Sequence, residues 1–354
     1  MSVTDETLQL LAELRVSVDA TVDAATRDLV KAWARAWDDL QPLWRDALGD
    51  LVAQSQDGRW PTRQTIYRAE RVLVALDTTQ DALEALAATA GVRISSTLVD
   101  FTSDAARWQA RLMSSQLPAP GTAGVAISWN RVDPLALEAI VRRTSTQITS
   151  TLIPLSGEAT AVMNRTLIQG ITLGQNPRQA AREMLKRTEG GFNGGLTRAL
   201  NVARTEMLDA HRAAAHAQNQ ANRDLLRGWQ WSASFDARTC PSCLAMDGTE
   251  FPVDMPGPLD HQQGRCTRLP VTLSWRELGF DIEEPPSVTP SAEEWFSGLS
   301  RDEQLRIMGP TRLELLDTGK ASWGDLATKQ SATGWRDSYK PTSVKALADL
   351  ASVE

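Results

Sequence analysis

The chain has 354 residues, of which 42% are hydrophobic and 23% charged, a composition typical of soluble globular proteins and unlike that of disordered or fibrous ones. Because domains usually contain roughly 100 to 200 residues, this length predicts two or three packing units. The formal net charge of -7 excludes a protein whose whole surface binds nucleic acid by neutralising phosphates, although a local basic surface stays possible.

The N-terminal segment MSVTDETLQLLAELR is acidic and polar, whereas a signal peptide begins with a basic segment and continues with an apolar one. On reading the sequence we find no stretch that approaches the roughly 18 uncharged apolar residues of a membrane span. We therefore expect a protein that is made and kept in a cytoplasm, with no membrane partner. All three cysteines lie between Cys240 and Cys266, which fits a reducing compartment with a metal site better than disulfide pairing.

Residues 1–117 show helical periodicity and predict an N-terminal helical arm or bundle. From Leu11 to Leu51, apolar or small residues recur in alternating steps of three and four, which is the spacing of one helical face. Because proline removes a backbone hydrogen bond, Pro42 predicts either two helices here or one kinked helix. Further helices are expected from about Pro61 to Thr89 and from about Ser95 to Gln116.

Proline and glycine divide the middle of the chain. The segment PAPGTAG, Pro118 to Gly124, predicts a linker that ends the arm. GGFNGG, Gly190 to Gly195, predicts a flexible hinge, and Asn176 followed by Pro177 predicts a helix start. The helices expected in this part span residues 134–153, 156–169, 177–186 and 196–226.

The last third of the sequence predicts short strands and short helices. Trp229, Trp231 and Phe235 alternate with polar residues, as in a strand that is half buried on one face, and RLPVTLSW predicts a second strand. EEPPSVTP, residues 283–290, predicts another linker. Ser291 with Glu294, and Ser300 with Glu303, each fit a capping box, so at least two short helices should follow.

These patterns predict a mainly α (α+β) fold. We expect an N-terminal helical arm or bundle over 1–117, a central helical domain with a small zinc-knuckle α+β part over 125–282, and a short helical C-terminal tail over 291–354. The knuckle itself should span residues 229–275.

The cysteines and one histidine have the spacing of a metal site. Cys240-Pro-Ser-Cys243 is followed after 17 residues by His261 and after four more by Cys266. A tight turn can direct the first two thiolates to one ion, and a second pair from a distant loop completes a tetrahedron. Three thiolates and one imidazole leave no open position for water or substrate, so the set predicts a structural zinc ion.

Three other interpretations of this set were considered. Three buried free cysteines beside an unrelated histidine would need no metal, but the spacing favours zinc. A redox Cys-x-x-Cys site would follow the strand-to-helix pattern of thioredoxin-like domains, which is not found here. A zinc deaminase places His-x-Glu before Pro-Cys-x-x-Cys, whereas His261 comes afterwards and is followed by Gln262.

Three motifs together resemble a known family. ARTEMLDAHRAAAHAQ is followed by W-x-W-x-A-x-x-D-x-R-T-C-P-x-C-x-x-x-D-G and then by H-x-x-x-R-C. From about Ile168 to Leu269 the sequence resembles the C-terminal domain of the phage Mu F-like head morphogenesis (minor capsid) proteins. The family usually shows an apolar turn before the histidine and His-Pro-Asn-Cys-Arg-Cys from it onward. Here Gly257-Pro258-Leu259-Asp260 precedes His261, and only Arg265-Cys266 remains of the terminal pair.

Other positions match the motifs of this family. They are Arg204, Thr205, Glu206, Asp236, Arg238, Asp247, Gly248 and Arg265. Arg204 and Glu206 could be an active pair, or could anchor the helix to backbone and to the knuckle; we favour anchoring, because no nucleophile or phosphate-binding loop accompanies them. Asp236 and Asp247-Gly248 are interpreted as turn formers. His211 and His216 lack the i, i+4 spacing of helical ligands, so we expect solvated positions.

The resemblance implies a minor capsid protein of a tailed phage that docks to the portal or the inner capsid during procapsid assembly. Its partners would be portal, capsid or scaffold proteins, and possibly packaged DNA. It would occupy the host cytoplasm during assembly, and afterwards the head interior or the portal region of the virion.

Two alternatives remain open. A DNA-binding internal head protein would use the basic residues of the middle third, although a solvated helix face balanced by acids explains these residues better. They are Arg178, Arg182, Lys186, Arg187, Arg198, Arg204, Arg212, Arg223 and Arg227. A hydrolase or transferase domain packaged in the head would need an open metal position or a catalytic pocket. The sequence offers neither clearly, so we do not predict an enzyme.

Overall fold

The computed structural model describes residues 3–55, 68–119, 128–172, 177–289, 291–332 and 335–351. The described residues form mainly helices with two small antiparallel sheets, which confirms the predicted mainly α fold class. The chain forms two compact units, each assembled from separate stretches of sequence. Unit 1 comprises Met1–Ala20, Val99–Ile140 and Leu208–Glu354, and unit 2 comprises Thr21–Leu98 and Val141–Met207.

Four long helices provide most of the structure, and each contributes residues to both units. They are α1 (Asp5–Ala53), α2 (Glu70–Ser114), α3 (Pro134–Thr172) and α4 (Pro177–Ala221). Unit 1 combines residues from all three segments predicted as domains, 1–117, 125–282 and 291–354. Those domain limits themselves stay a prediction.

Helix α1 continues through Pro42, so the expectation of two helices is wrong. Proline deprives the carbonyl of Asp38 of its helical partner, but Asp38 is exposed and water can satisfy that carbonyl. On both sides of the proline the helix buries large apolar side chains, among them Trp37, Leu40 and Trp44. Burial of each such side chain contributes about 1.5–3 kcal/mol, and together these contributions exceed the roughly 3 kcal/mol cost of a helical proline.

Two other pairs of expected helices are also continuous. The helices expected to end at Thr89 and to begin at Ser95 form the single helix α2, because the apolar stripe continues through the buried Ala90 and Ile94. Helix α3 likewise passes the break expected between residues 153 and 156. Three predicted features lie partly or wholly outside the described residues: the helix start at Pro61, the end of the linker 118–124 and the cap at Asn176.

The predicted hinge at Gly190 to Gly195 is wrong, because these residues belong to helix α4. Phe192 is fully buried in unit 2, with its ring centroid 5.5 Å from that of Trp33 and 5.2 Å from that of Trp37. The indole Nε1 of Trp33 also donates to the Phe192 carbonyl at 3.1 Å. Each helical glycine costs about 1 kcal/mol relative to alanine, and this aromatic packing offsets that cost.

The part of unit 1 that contains the cysteines is built on a three-stranded antiparallel sheet of order β2-β1-β3. The strands are β1 (Leu226–Ser232), β2 (Glu250–Phe251) and β3 (Thr267–Thr272), and the short helix α5 (Pro241–Met246) lies between β1 and β2 in sequence. The strand predicted from RLPVTLSW is confirmed as β3. Strand β1 ends before Phe235 and is buried along most of its length, because it is the central strand.

Both sides of this sheet are covered within unit 1. Successive residues of a strand face opposite sides. Leu269 packs with Leu14 of α1 and Leu112 of α2. Trp229 and Trp231 instead belong to a buried cluster that includes Cys243 and Cys266. Because both sides of the sheet are covered, β1 is buried along most of its length and is not half buried as the sequence predicted.

The C-terminal segment contains more structure than the two predicted helices. Its elements are α6 (Ala292–Ser297), α7 (Arg301–Met308), α8 (Pro310–Asp317), β4 (Ala327–Ala332), β5 (Trp335–Pro341) and α9 (Val344–Ala351). The helix starts at Ser291 and Ser300 are confirmed: Ser291 caps α6, and Ser300 with Glu303 forms a capping box. The antiparallel pair β4–β5 was not predicted, because its strands lack an alternating apolar pattern.

Helix α2 contains an 18-residue window that is long and apolar enough to cross a membrane, contrary to our reading of the sequence. Part of that window is buried inside the protein, and core helices of soluble proteins pass the same test. A single helix of this kind is weak support for a membrane span.

If Phe192 holds the glycine-flanked part of α4 in place, Phe192→Ala should lower the free energy of unfolding by about 3–5 kcal/mol, the usual cost of truncating a buried phenylalanine. Denaturant titration followed by circular dichroism would measure this loss. Asn193→Ala, at the exposed neighbouring position, is the matched control and should change stability by less than about 0.5 kcal/mol. Equal stability of the two variants would show that residues 190–195 do not depend on the aromatic contact.

Candidate metal centre

The first two candidate ligands lie at the start of α5. Cys240 is the residue that precedes this helix, Pro241 occupies its first turn, and Cys243 follows within the same turn. A proline at this position favours the helix start, because its fixed φ suits a helix and its missing N–H would have no helical partner. The two sulfur atoms are consequently only 3.3 Å apart.

His261 completes a group of three donors. Its Nε2 atom lies 3.2 Å from the Cys240 Sγ and 3.3 Å from the Cys243 Sγ. A second group, formed by Cys243, Asp260 and Cys266, has all its ligand atoms within 4.8 Å of one another. The two groups share Cys243, so the structure brings all four predicted ligands into one cluster and adds Asp260 to it.

Three of the donors, Cys240, Cys243 and His261, have nearly the spacing of ligands on a tetrahedral metal ion. Zinc–sulfur bonds of about 2.3 Å and zinc–nitrogen bonds of about 2.0–2.1 Å separate neighbouring donors by about 3.5–3.8 Å. The observed separations of 3.2–3.3 Å among Cys240, Cys243 and His261 differ from that range by only a few tenths of an ångström. Soft thiolates together with imidazole are also a donor set that zinc binds well. These residues could therefore hold a metal ion.

Hydrogen bonds and burial shift the pKa values of the three cysteines and the histidine of the cluster. The pKa of the Cys240 thiol is lowered to about 4, mainly by its hydrogen bond with Cys243. The hydrogen bond to Cys240 raises the pKa of His261 to about 9. The pKa of Cys243 is raised by its hydrogen bonds to the other two sulfurs, and burial raises that of Cys266. Metal ligation requires deprotonated donors, so metal binding here should release protons and weaken as the pH falls.

Asp260 was not identified from the sequence, although it is the most buried charged group at the centre. Its side chain is 1% exposed. The Oδ1 atom accepts from the His261 backbone N–H at 2.9 Å, and Oδ2 accepts from the Cys266 N–H at 2.9 Å. Arg212 of α4 donates to Oδ2 at 3.2 Å. A single aspartate in a loop carries no periodicity, so the sequence pattern gave no signal for it.

Four of the family-motif positions shape the turns next to the cysteines. The Arg265 guanidinium donates to both oxygens of Asp236 at 2.7 Å, and these hydrogen bonds lower the pKa of that carboxyl. Asp236 also accepts from the Arg238 N–H at 2.8 Å. Asp247 accepts from the Ala233 N–H at 2.7 Å, which ties the end of α5 to the end of β1.

Gly248 closes the turn after α5. It has a positive φ of 80°, and its N–H donates to the Trp231 carbonyl at 2.9 Å. Asp247 and Gly248 therefore form the turn that the sequence predicted.

The Arg-Thr-Glu motif is not part of the metal cluster. Arg204, Thr205 and Glu206 belong to unit 2, where Thr205 and Glu206 are buried. Arg204 donates to the Asp23 Oδ1 at 2.7 Å and to the Thr26 Oγ1 at 3.2 Å, both on α1. These contacts anchor α4 to α1 within unit 2.

The prediction that His211 and His216 are solvated is wrong. His211 is only 4% exposed, its ring centroid lies 5.2 Å from that of Phe101, and its Nε2 has no hydrogen-bond partner among the described residues. Burial, together with the neighbouring Arg212, lowers the pKa of His211 to about 3. His216 is half-buried, and burial together with Arg268 lowers its pKa to about 4. The expectation of solvated positions failed because both faces of this part of α4 are packed within unit 1.

Arg268 is a second residue that the sequence analysis missed. It is fully buried, and its guanidinium donates to the Asn219 Oδ1 at 2.7 Å and to the carbonyls of Val253 and Gly257 at 3.0 and 3.2 Å. Its guanidinium carbon lies 4.4 Å from the centre of the Trp229 ring. Burial lowers the pKa of Arg268 to about 9. These contacts tie the loop before His261 to helix α4.

Comparison with known proteins gives one match. Residues 161–268 match the family model described as Phage Mu protein F like protein, which confirms the resemblance predicted for this part of the chain. The matched segment contains all four candidate ligands and ends at Arg268. Searches of curated proteins and of solved structures give no match.

The buried neutral His211 should make the fold sensitive to acid. Its folded pKa of about 3 lies below its unfolded value of 6.5, so stability is retained above pH 6.5 and is lost as the pH falls from 6.5 towards 3. Between pH 7.5 and pH 5, His211 alone should cost about 2 kcal/mol, at about 1.4 kcal/mol per pKa unit. Denaturant titrations at both pH values should therefore show a smaller pH-dependent loss in His211→Gln than in the unmodified chain. Equal losses would contradict the burial of a neutral imidazole.

Proposed function

We propose, from the Mu F-like segment at residues 161–268, that this chain is a head morphogenesis (minor capsid) protein of a tailed phage. It acts in procapsid assembly, docks to the portal or the inner capsid, and holds a structural zinc ion. The observation that carries the proposal is that one matched segment contains the complete donor set of Cys240, Cys243, His261 and Cys266.

The donor set supports a structural ion more than a catalytic one. A catalytic zinc keeps a coordination position for water or substrate, whereas three thiolates and one imidazole fill the tetrahedron. The donors also lie among buried apolar groups, with Trp231 and Met246 in the same cluster. When bound, the ion would cross-link the start of α5 to the loop before β3 and stabilise the small sheet.

Purified without chelator, the chain should contain one zinc ion, measured by elemental analysis against protein concentration. Cys243→Ala removes the donor that both groups share, so this variant should lose the zinc and unfold locally. Structural zinc contributes on the order of 10 kcal/mol in small zinc domains.

Met246→Ala is a matched control for this experiment. It creates a cavity in the same buried cluster but removes no donor, and should keep one zinc per chain. Substoichiometric zinc in the unmodified chain, with unchanged stability of Cys243→Ala, would contradict the zinc site.

We infer that the N-terminal helical arm carries the contact to the portal. Helices α1 and α2 expose several large apolar side chains, and such side chains on a helix face can pack against helices of another chain. They are Val16, Val30, Leu43, Leu73, Val74, Val92 and Val99. Truncation is a poor test of this role, because residues of the arm also pack on the sheet that contains the candidate ligands. Point substitutions avoid that problem.

Procapsids of the encoding phage should contain the chain in few copies. Val92→Glu changes a side chain that is 72% exposed, so the variant should stay soluble and keep its zinc. Its co-purification with portal and its amount per procapsid should fall roughly tenfold, the effect of about 1.4 kcal/mol. Gln330→Glu introduces the same charge at an exposed position of β4, outside the arm, and is the control that should assemble normally.

Two results would contradict this account. Normal incorporation of Val92→Glu would move the docking surface away from this part of the arm. Absence of the unmodified chain from purified procapsids would contradict the assembly role itself.

The described contacts do not favour the DNA-binding alternative. Arg187, Arg212 and Arg227 each pair with an acidic side chain, and Arg204 pairs with Asp23. Arg212 is buried and so is not accessible to a phosphate, and the acidic partners of the other three reduce the local positive charge that attracts DNA. The catalytic alternative gains no support from the Arg-Thr-Glu motif either, since Arg204 is engaged with α1 and Glu206 is buried.

A further inference from the structure

Asp260 directly precedes the candidate ligand His261, and its carboxylate lies within 4.8 Å of the sulfur atoms of Cys243 and Cys266. A carboxylate at this position can either bind the metal itself or hold the ligands in place. We propose that Asp260 and Arg212 form a positioning pair that holds His261 and Cys266 in place for the metal, and that Asp260 is not itself a ligand. This inference rests on the proposed zinc site. It assigns a function to Asp260, which lies in the segment before His261 where the sequence departs from the pattern of the Mu F-like family.

The hydrogen bonds of Asp260 show why it positions the ligands. Oδ1 accepts from the His261 N–H, and Oδ2 accepts from the Cys266 N–H, each at 2.9 Å. One carboxylate thereby fixes the backbone of His261 and of Cys266, the two candidate ligands that follow α5 in the sequence. Oδ2 accepts in addition from Arg212 at 3.2 Å, so both lone pairs of Oδ2 are used by groups that hold the loop.

Arg212 connects this carboxylate to helix α4. Its Nε donates to the Cys266 carbonyl at 3.1 Å, and its Nη2 donates to Asp260 and to the Gly264 carbonyl. A planar guanidinium can serve three acceptors in a fixed geometry, whereas a lysine ammonium on its flexible stem cannot reproduce that arrangement. The loop that carries His261 and Cys266 is therefore held at a fixed position on α4.

The turn between the two ligands is shaped around the same carboxylate. Gln263 adopts a left-handed φ of 58°, and the Gly264 N–H donates to the His261 carbonyl at 3.0 Å. A Cβ atom on Gly264 would overlap the carboxyl group of Asp260. Only glycine leaves room for Asp260 here, so the turn and the buried aspartate depend on each other.

Charge gives a further reason for the pair. Three thiolates and a divalent ion carry a net charge of -1, and a buried carboxylate 3.6 Å from the Cys243 Sγ would add a second negative charge. Arg212, whose side chain is 9% exposed, offsets that charge. A buried carboxylate without its cation would be strongly destabilising. Asp260 and Arg212 should therefore act together.

The first test compares zinc affinity in variants of the full chain, by competition with a chromophoric chelator. Asp260→Asn keeps the shape but loses the charge and one acceptor, and Arg212→Lys keeps the charge but loses the planar geometry. Each should weaken zinc binding by about 10–100-fold, as supporting residues of metal sites usually do. Asp337→Asn breaks the exposed ion pair with Lys329 on the β4–β5 sheet and is the matched control, with unchanged affinity.

The second test uses cobalt(II) in place of zinc, because the thiolate-to-cobalt absorption reports the number of sulfur ligands. Asp260→Asn should keep the full intensity of the unmodified chain, while Cys266→Ala should lose roughly one third, since one of three thiolates is removed. If Asp260→Asn does not fold, Arg212→Lys should still show weakened zinc binding together with full sulfur absorption.

The outcomes separate this inference from the zinc proposal. Unchanged zinc affinity in both Asp260→Asn and Arg212→Lys would overturn the positioning pair while the zinc site stands. Full sulfur absorption in Cys266→Ala, with altered tetrahedral bands in Asp260→Asn, would show that Asp260 is a ligand and overturn the assignment. Absence of zinc and cobalt binding in the unmodified chain would overturn both proposals.

Discussion

Two buried arginines join the small sheet and its cluster of candidate metal ligands, the metal cluster, to helix α4 within unit 1. Arg212 extends from α4 to the backbone of Cys266 and to Asp260, while Arg268 extends from β3 to Asn219 of α4. A buried guanidinium is costly unless nearly all its donors are satisfied. The cluster cannot shift along the helix without leaving one of these cations unpaired. The two arginines therefore restrict the metal cluster to a single position on α4.

Segments outside residues 161–268 also close this centre. Arg15 of α1 donates to the Ser232 hydroxyl at 2.7 Å and to the Ala233 carbonyl. From the C-terminal segment, the Tyr339 N–H donates at 2.8 Å to the carbonyl of Leu259, the residue before Asp260. The buried Leu244 of α5 belongs to the apolar core of the C-terminal helices. Contacts from both ends of the chain therefore support the centre, and for this reason surface substitutions are better tests of docking than truncations.

The features predicted correctly from the sequence are those that depend on neighbouring residues. The spacing of Cys240 and Cys243, the strand RLPVTLSW, the cap at Ser291 and the capping box at Ser300 are local patterns with local causes. Several failures depend on distant contacts. Gly190 to Gly195 is helical because Phe192 packs on Trp33 and Trp37, and His211 is buried because a neighbouring element covers it. Asp260 escaped notice for the same reason, since its role depends on an arginine 48 residues earlier in the chain.

The metal cluster and residues 208–221 of α4 should form one cooperative structure, because Arg212 and Arg268 connect them. Hydrogen–deuterium exchange of the full chain, with and without removal of its metal by a strong chelator, tests this claim most directly. Metal removal should accelerate exchange in residues 240–268 and also in residues 208–221, because the buried arginines lose their fixed partners when the loop opens. Faster exchange confined to residues 240–268, with residues 208–221 unchanged, would contradict this expectation and show that the knuckle opens independently of the helix.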